Sequence, residues 1–278
     1  MNLASDIRWR RSIDRRQLVP RCANPECGSG RGWAGVFHRL TGFRLNGADW
    51  YCSEQCLESA LEELLLTHSV EGHRQAPNRT AMPLGLMMLA RGAVTDSQLR
   101  EALQMQRNSG SRIGACLQQL GLISAEEIAA AVAMQWGCPL FPAESVQPGC
   151  SMLVPCSLSE QYRMTPVHLV GQGRKLFVAF GEGVNHSLLV AMEQMLGCST
   201  MACILSDTRL AEVLEYRKQE STGEVAVRRP ESVGEVVRMV LNYARQMASG
   251  EIRVSGMEGN IWVRFVSPRS HFDLVFER

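Results

Sequence analysis

With 278 residues, 45% of them hydrophobic, and no apolar run of 18, the chain suits two or three small soluble domains and excludes a transmembrane helix. Its 29 basic and 28 acidic side chains leave a net charge of +1, which excludes no partner. Arg8, Arg10 and Arg11 stand where a signal peptide needs its apolar core, which with the scattered thiols predicts a reducing, cytoplasmic location.

Residues 1–21 carry six arginines (8, 10, 11, 15, 16 and 21) against Asp6 and Asp14, with Trp9 among them. Such an arm is either a solvated terminus or a contact for nucleic acid, acidic lipid or a partner protein. Arginine outnumbers lysine 27 to 2 over the whole chain, which points to base composition more than to phosphate contacts.

Residues 22–68 read as a small metal domain. Cys22-x4-Cys27 and Cys52-x3-Cys56 bracket 24 residues, and Tyr51-Cys52-Ser53-Glu54-Gln55-Cys56 runs straight into an amphipathic helix, Leu57 to Leu66. Two thiolates from a turn and two from a helix start can satisfy tetrahedral Zn2+, and the free N–H groups of a helix N-terminus favour thiolate. The pattern resembles treble-clef-like zinc fingers, with a first pair spaced more widely than usual. That implies a closed, structural and non-catalytic zinc site on Cys22, Cys27, Cys52 and Cys56. Free thiols or a labile disulfide are the alternative, and His38 is the other ligand candidate nearby. Cys116, Cys138, Cys150, Cys156, Cys198 and Cys203 sit singly beside apolar residues and read as buried free thiols.

After a linker at 69–81, residues 82–141 hold a tandem repeat. Pro83 to Gln106 and Arg112 to Gln135 are two 24-residue copies separated by five residues. They share Gly85/Gly114, Gly92/Gly121, Ala102/Ala131, Met105/Met134 and Gln106/Gln135. Each copy predicts a short apolar helix (Leu84 to Arg91, Ile113 to Leu120) closed by glycine. A capping box, Thr95-x-x-Gln98 or Ser124-x-x-Glu127, then opens a second helix. Leu99, Ala102, Leu103 and Gln106 recur at helical spacing there, as do Ile128, Ala131, Val132 and Gln135. Two helical hairpins packed on each other follow, since neither copy can bury its own apolar face.

Residues 142–216 read as a small α/β unit. Its expected elements are a helix from Pro155 to Met164, strands Val167 to Val170 and Lys175 to Phe180, and helices Ser187 to Leu196 and Thr208 to Tyr216, the last capped by Ser206. A polar linker is expected at 217–230. Residues 231–278 predict a helix, Ser232 to Met247, and strands Glu251 to Ser255, Asn260 to Phe265 and Phe272 to Glu277, with a hairpin turn at Met257 to Asn260. The fold class is therefore α+β and multi-domain.

The tandem repeat resembles the N-terminal domain of the type II secretion and type IV pilus assembly ATPases. In that family two 24-residue motifs opening Arg-Leu-Gly, five residues apart, can form a cyclic di-GMP receptor. The match covers about a fifth of the chain. Tyr162 to Val167 and Leu176 to Phe180 look like the strand entries of the α/β unit that follows in the family. Ala248 to Val254 and Trp262 to Phe265 look like the first segment of its next subdomain. The resemblance implies a cyclic di-GMP site on Leu84, Gly85, Gln106, Arg112, Ile113, Gly114 and Gln135. Pro83 stands where the first motif has its arginine, so one guanidinium fork is missing.

No Gly-x-x-x-x-Gly-Lys-Ser/Thr loop is present, and Lys175 and Lys218 each follow an arginine. Gly-x-Ser-x-Gly and His-Glu-x-x-His are missing too, and the six histidines are scattered, so a non-enzymatic chain is expected. The resemblance implies an adaptor or regulator docking to secretion or pilus machinery, through a platform protein or the motor ATPase. A cyclic di-GMP receptor is the alternative. A DNA-binding regulator using the finger and the arginine arm is more distant, because Glu58, Glu62 and Glu63 on the finger helix repel phosphate.

Overall fold

The computed structural model describes residues 21–28, 42–71, 82–220, 225–247, 249–267 and 270–277. The arm at 1–20, His38 and most of the 69–81 linker lie outside these residues. Strands β1 (Phe43–Leu45) and β2 (Asp49–Tyr51) lead into helix α1 (Glu54–Glu71). The repeat supplies α2 (Leu84–Ala90), α3 (Asp96–Ser109), α4 (Ile113–Gln119) and α5 (Ala125–Trp136). The middle unit holds α6 (Cys156–Gln161), β3 (Met164–Val170), β4 (Lys175–Phe180), α7 (His186–Leu196), β5 (Ser199–Ile204) and α8 (Asp207–Glu220). The C-terminal part is β6 (Val225–Arg228), α9 (Val233–Gln246), β7 (Glu251–Met257), β8 (Asn260–Val266) and β9 (His271–Glu277).

Both expected capping boxes form. Gln98 N–H donates to Thr95 Oγ1 at 3.3 Å while Thr95 N–H donates to Gln98 Oε1 at 2.8 Å. The second copy repeats this between Glu127 N–H and Ser124 Oγ (3.2 Å) and between Ser124 N–H and Glu127 Oε2 (2.9 Å). Met88, Val94, Leu99, Ala102, Cys116, Leu117, Ile123 and Ala131 then form one small core between the two hairpins.

The copies differ in what their second helices meet. Ala129, Val132 and Ala133 of α5 join the core of the middle unit. The equivalent face of α3 presents Arg100, Leu103 and Gln104 to solvent. Helical spacing places Leu103 and Val132 alike, yet Val132 is 4% exposed and Leu103 39%. The docked body, not the repeat itself, makes that difference.

In the middle unit, β3 and β4 pair antiparallel and β4 and β5 parallel, the latter joined by the α7 crossover. Strand β5 was not anticipated from the sequence. Helix α8 packs Leu210 and Leu214 against Val167, Ala179 and Cys203 on one face of this sheet. Helix α7 buries Leu188, Met192, Met195 and Leu196 in a core that continues through Met257, Trp262 and Val275 of the second sheet.

That second sheet has the order β2-β1-β7-β8-β9-β6. Strands β7, β8 and β9 form an antiparallel meander, with β8 buried from Asn260 to Phe265 because both faces are covered. On the face away from α7, α9 lays down Val236, Val237, Val240, Leu241 and Ala244, and α1 adds Leu57, Leu61 and Leu65. Fully burying each of those leucines contributes about 1.5–3 kcal/mol. Strand β1 pairs parallel with β7 (Arg44↔Glu251, Leu45↔Ile252), so the segments 22–68 and 231–278 share one sheet and one core.

The expected polar linker at 217–230 is corrected. Helix α8 continues through Glu220, and Arg217 is buried with its guanidinium donating to the Val154 carbonyl. Strand β6 then pairs parallel with β9, Val225 opposite Asp273. Polar composition hid a strand whose partner lies nearly fifty residues further on.

Candidate metal centre and ligand-binding face

The first site is built where a turn meets a helix start. Glu26 N–H donates to Asn24 Oδ1 at 2.8 Å and Cys27 N–H to the Asn24 carbonyl at 3.1 Å, which curls residues 22–27. Ala23 N–H reaches the Trp50 carbonyl at 2.8 Å and fixes this turn to the end of β2. Ser53 precedes α1 and accepts from Cys56 N–H through Oγ at 3.3 Å, placing Cys56 in the first turn of the helix. The ligand atoms of Cys22, Cys27, Cys52 and Cys56 consequently lie within 4.8 Å of one another. Cys27 and Cys52 Sγ are 3.4 Å apart, and Cys52 and Cys56 Sγ 3.9 Å. No disulfide joins them.

Four thiols at this spacing can hold a metal ion. A tetrahedral tetrathiolate with bonds of about 2.3 Å has sulfur–sulfur edges of ~3.8 Å, close to the separations here. Burial pushes the Cys22 thiol up to about 12, with the Cys27 and Cys52 side chains adding and the backbone N–H groups of Cys52 and Asn24 opposing. Burial raises Cys56 as well. A divalent cation among the four sulfurs reverses that preference, because it binds the thiolate form.

The six other cysteines split by depth: Cys116, Cys150, Cys198 and Cys203 are buried, and Cys138 and Cys156 partly so. Burial holds Cys203 at about 12 and Cys150 and Cys198 at about 11, values that leave them as unreactive thiols.

The second site lies where the two copies of the repeat meet. Gly85 and Gly114 are buried in α2 and α4. A Cβ on Gly114 would stand 3.3 Å from Ile128 Cγ2 and 3.4 Å from Leu84 Cδ2. A Cβ on Gly85 would stand 2.8 Å from Leu99 Cδ1 and 3.7 Å from Ile113 Cγ1. Leu84 corresponds to Ile113, and Leu99 to Ile128, so each contact has its counterpart in the other copy. The repeat thus packs with pseudo-twofold symmetry, and the motif-opening residues Pro83 and Arg112 immediately precede the helices that meet at the dyad.

Arg112 caps α4 without a side-chain hydrogen bond to the helix and instead forms an ion pair with Glu182. Glu182 sits in the Gly181–Gly183 loop between β4 and α7. That loop lies against the repeat, since a Cβ on Gly183 would stand 2.9 Å from Trp136 Cζ2. Glu182 was not singled out from the sequence. Its only local signal is a glycine on each side between a strand and a helix. Gln135 donates through Nε2 to the Met82 carbonyl at 2.8 Å, tying the end of the second motif to the start of the first. Gln106 lies in the last turn of α3, where its carbonyl accepts from Gly110 N–H at 2.8 Å.

No helix among the described residues is long and apolar enough to cross a membrane. No protein-family model matches the chain. Bacteriophage adsorption protein B of Escherichia coli K12 is 31% identical over 121 residues, 43% of this chain and 16% of that protein. The type IV pilus assembly ATPase PilB of Myxococcus xanthus is 25% identical over 134 residues, 48% of this chain and 23% of its own length. The chain therefore spans less than a quarter of either relative. Among solved structures, MshE with cdg matches 49% of this chain and 98% of its own at 22% identity and a TM-score of 0.41. The N-terminal domain of XpsE matches 51% of this chain and 96% of its own at 18% identity and a TM-score of 0.37. Over about half its length, the chain is similar in sequence to a type IV pilus assembly ATPase and to a bacteriophage adsorption protein.

Proposed function

We propose that this chain is a non-enzymatic adaptor whose tandem repeat docks to secretion or pilus machinery and whose four-cysteine site carries a structural Zn2+. Support for docking comes from the repeat surface, where Met82, Leu86 and Met134 each remain about half exposed. The Gln135–Met82 bond holds the segment carrying Met82 against α5, which carries Met134. Exposed apolar groups on neighbouring elements suit a protein partner. Zinc is the ion of choice because it is borderline soft, needs no redox chemistry and accepts four thiolates in a closed site. The direct test is binding of the purified full-length chain to a purified platform protein or motor ATPase. A Met134→Asp change should weaken that binding at least about tenfold, and equal binding would refute the assignment of this face.

The pseudo-twofold packing favours a second reading, a cyclic di-GMP receptor. Cyclic di-GMP is itself twofold symmetric and doubly anionic, which suits a surface made of two equivalent halves. Arg112 would meet a phosphate or guanine of the ligand, while Leu84-Gly85 and Ile113-Gly114 would line its two halves. Pro83 offers no second cation, so affinity would rest on one arginine that Glu182 already engages. Calorimetric titration of cyclic di-GMP into the zinc-loaded chain decides this reading. Micromolar binding that Arg112→Ala abolishes supports a receptor, and no heat at high ligand concentration leaves the repeat as a docking scaffold.

A further inference from the structure

We infer that the four-cysteine site is a metal-dependent clasp on the edge of β7, so that metal occupancy near one end of the chain sets the order of a strand near the other. The inference rests on the metal reading above and adds a consequence that zinc binding alone does not require.

Two separate attachments hold the N-terminal segment to the C-terminal sheet. The first is α1, whose Leu57, Leu61 and Leu65 are almost wholly buried with Val236, Val237 and Val240 of α9. This attachment is apolar at its centre, with an Arg245–Glu54 ion pair at its rim, and contains no ligand side chain beyond Cys56 at its first turn. The second is the β1–β2 hairpin, which meets β7 through few bonds. Arg44 N–H donates to the Gly250 carbonyl at 2.8 Å and Asn46 N–H to the Ile252 carbonyl at 2.9 Å. Val254 N–H donates to Asn46 Oδ1 at 2.7 Å.

The hairpin has three residues in each strand, too little to be stable by itself. Asn46 at its tip holds a left-handed φ of 50° and Gly47 follows at 76°, conformations that suit a hairpin turn and aim the Asn46 side chain at β7. The hairpin is held by the packing of Leu45, Trp50 and Tyr51 in the core shared with α1 and α9, and by the thiol cluster at its open end. Cys52 directly follows β2, and the turn carrying Cys22 and Cys27 bonds back to Trp50. A metal ion joining the four sulfurs would fix the end of β2 and, through the β1–β2 pairing, restrain β1 on the edge of β7.

Losing the metal weakens this second attachment and leaves the first. The hairpin then opens more often, β7 keeps its pairing with β8 but exposes its other edge when it does, and α1 stays on α9. Such an opening is local, with the three-stranded sheet of the middle unit untouched.

The test is hydrogen exchange with mass spectrometry on the full-length chain under reducing conditions, zinc-loaded and after chelation. Metal content is measured on the same samples. The expected result is at least ~tenfold faster exchange in peptides covering 43–51 and 250–256 after chelation, with 164–180 unchanged. Asn46→Ala keeps all four thiols, so it should bind metal normally yet show faster exchange around Val254 even when loaded. Stoichiometric metal with unchanged β7 protection on chelation overturns the clasp while leaving the zinc reading intact. Loss of protection throughout, 164–180 included, also overturns it, by making the metal a global staple. A chain that takes up no metal fails the zinc reading itself.

Discussion

Leu84 of the first motif closes over Gly114 of the second, its Cδ2 3.4 Å from where a Cβ on that glycine would stand, and Ile113 covers Gly85 in the same way. The contact is self-complementary, as in a twofold interface, although both halves belong to one chain. Its glycines are not equally tight. Alanine in a helix gains up to about 1 kcal/mol over glycine, which at Gly114 roughly offsets the 3.3 Å approach to Ile128. At Gly85 the 2.8 Å approach to the enclosed Leu99 outweighs that gain. Gly85→Ala is therefore expected to destabilise by about 1 kcal/mol net, and Gly114→Ala to stay within ~0.5 kcal/mol of neutral. Chemical denaturation of the two variants side by side checks the asymmetry.

Arg112 separates ligand binding from stability. Its side chain is 66% exposed and that of Glu182 27%, so their ion pair is screened by solvent and contributes at most about 1 kcal/mol. Arg112→Ala should leave the melting temperature within about 2 °C of the parent. The same change should remove any cyclic di-GMP affinity, because no arginine replaces it at Pro83. A large fall in melting temperature would show that Arg112 is structural instead.

Arg264 and Asp273 behave differently, because both are buried. Their side chains are 1% and 5% exposed, and Arg264 donates to Asp273 through Nε at 2.8 Å and Nη2 at 2.7 Å. Arg264 Nη2 also reaches the Leu153 carbonyl at 2.8 Å, and Trp262 Nε1 donates to Asp273 at 2.9 Å. The pair thus binds the C-terminal sheet to the middle unit. Asp273→Ala leaves a buried guanidinium without its carboxylate and should cost about 3–5 kcal/mol. Urea unfolding followed by far-ultraviolet circular dichroism measures it, and a loss below ~1 kcal/mol would mean that water or another acceptor replaces the aspartate.

Zinc affinity should fall as pH falls. In the metal-free state burial holds Cys22 at about 12 and raises Cys56, so both are protonated at neutral pH. Binding must expel those protons, and each one displaced weakens binding about tenfold per pH unit of acidification. Two such thiols give a decline of at least about 100-fold per unit below pH 8. Competition with a chromogenic chelator at pH 6.5 and 7.5 measures the slope, and a flat profile would argue against thiolate ligation.

The sequence by itself determined the repeat, its capping boxes, the α+β class and the four cysteines, because each is encoded in residues close along the chain. A capping box spans four residues, and the thiol pairs at Cys22/Cys27 and Cys52/Cys56 sit on a local turn and a helix start. The relation of Gly85 to Gly114 was visible as identity between copies, though not that each lies beneath the other's aliphatic neighbour. Tertiary structure alone decided that β1 pairs with β7, with Arg44 opposite Glu251. It also placed β6 beside β9 and brought Glu182 to Arg112. These pairings depend on which edges and charges remain open once the cores have formed. Helix α7 supplies the common cause: packed between the two sheets, it fixes where β7 lies and leads directly from the loop that carries Glu182.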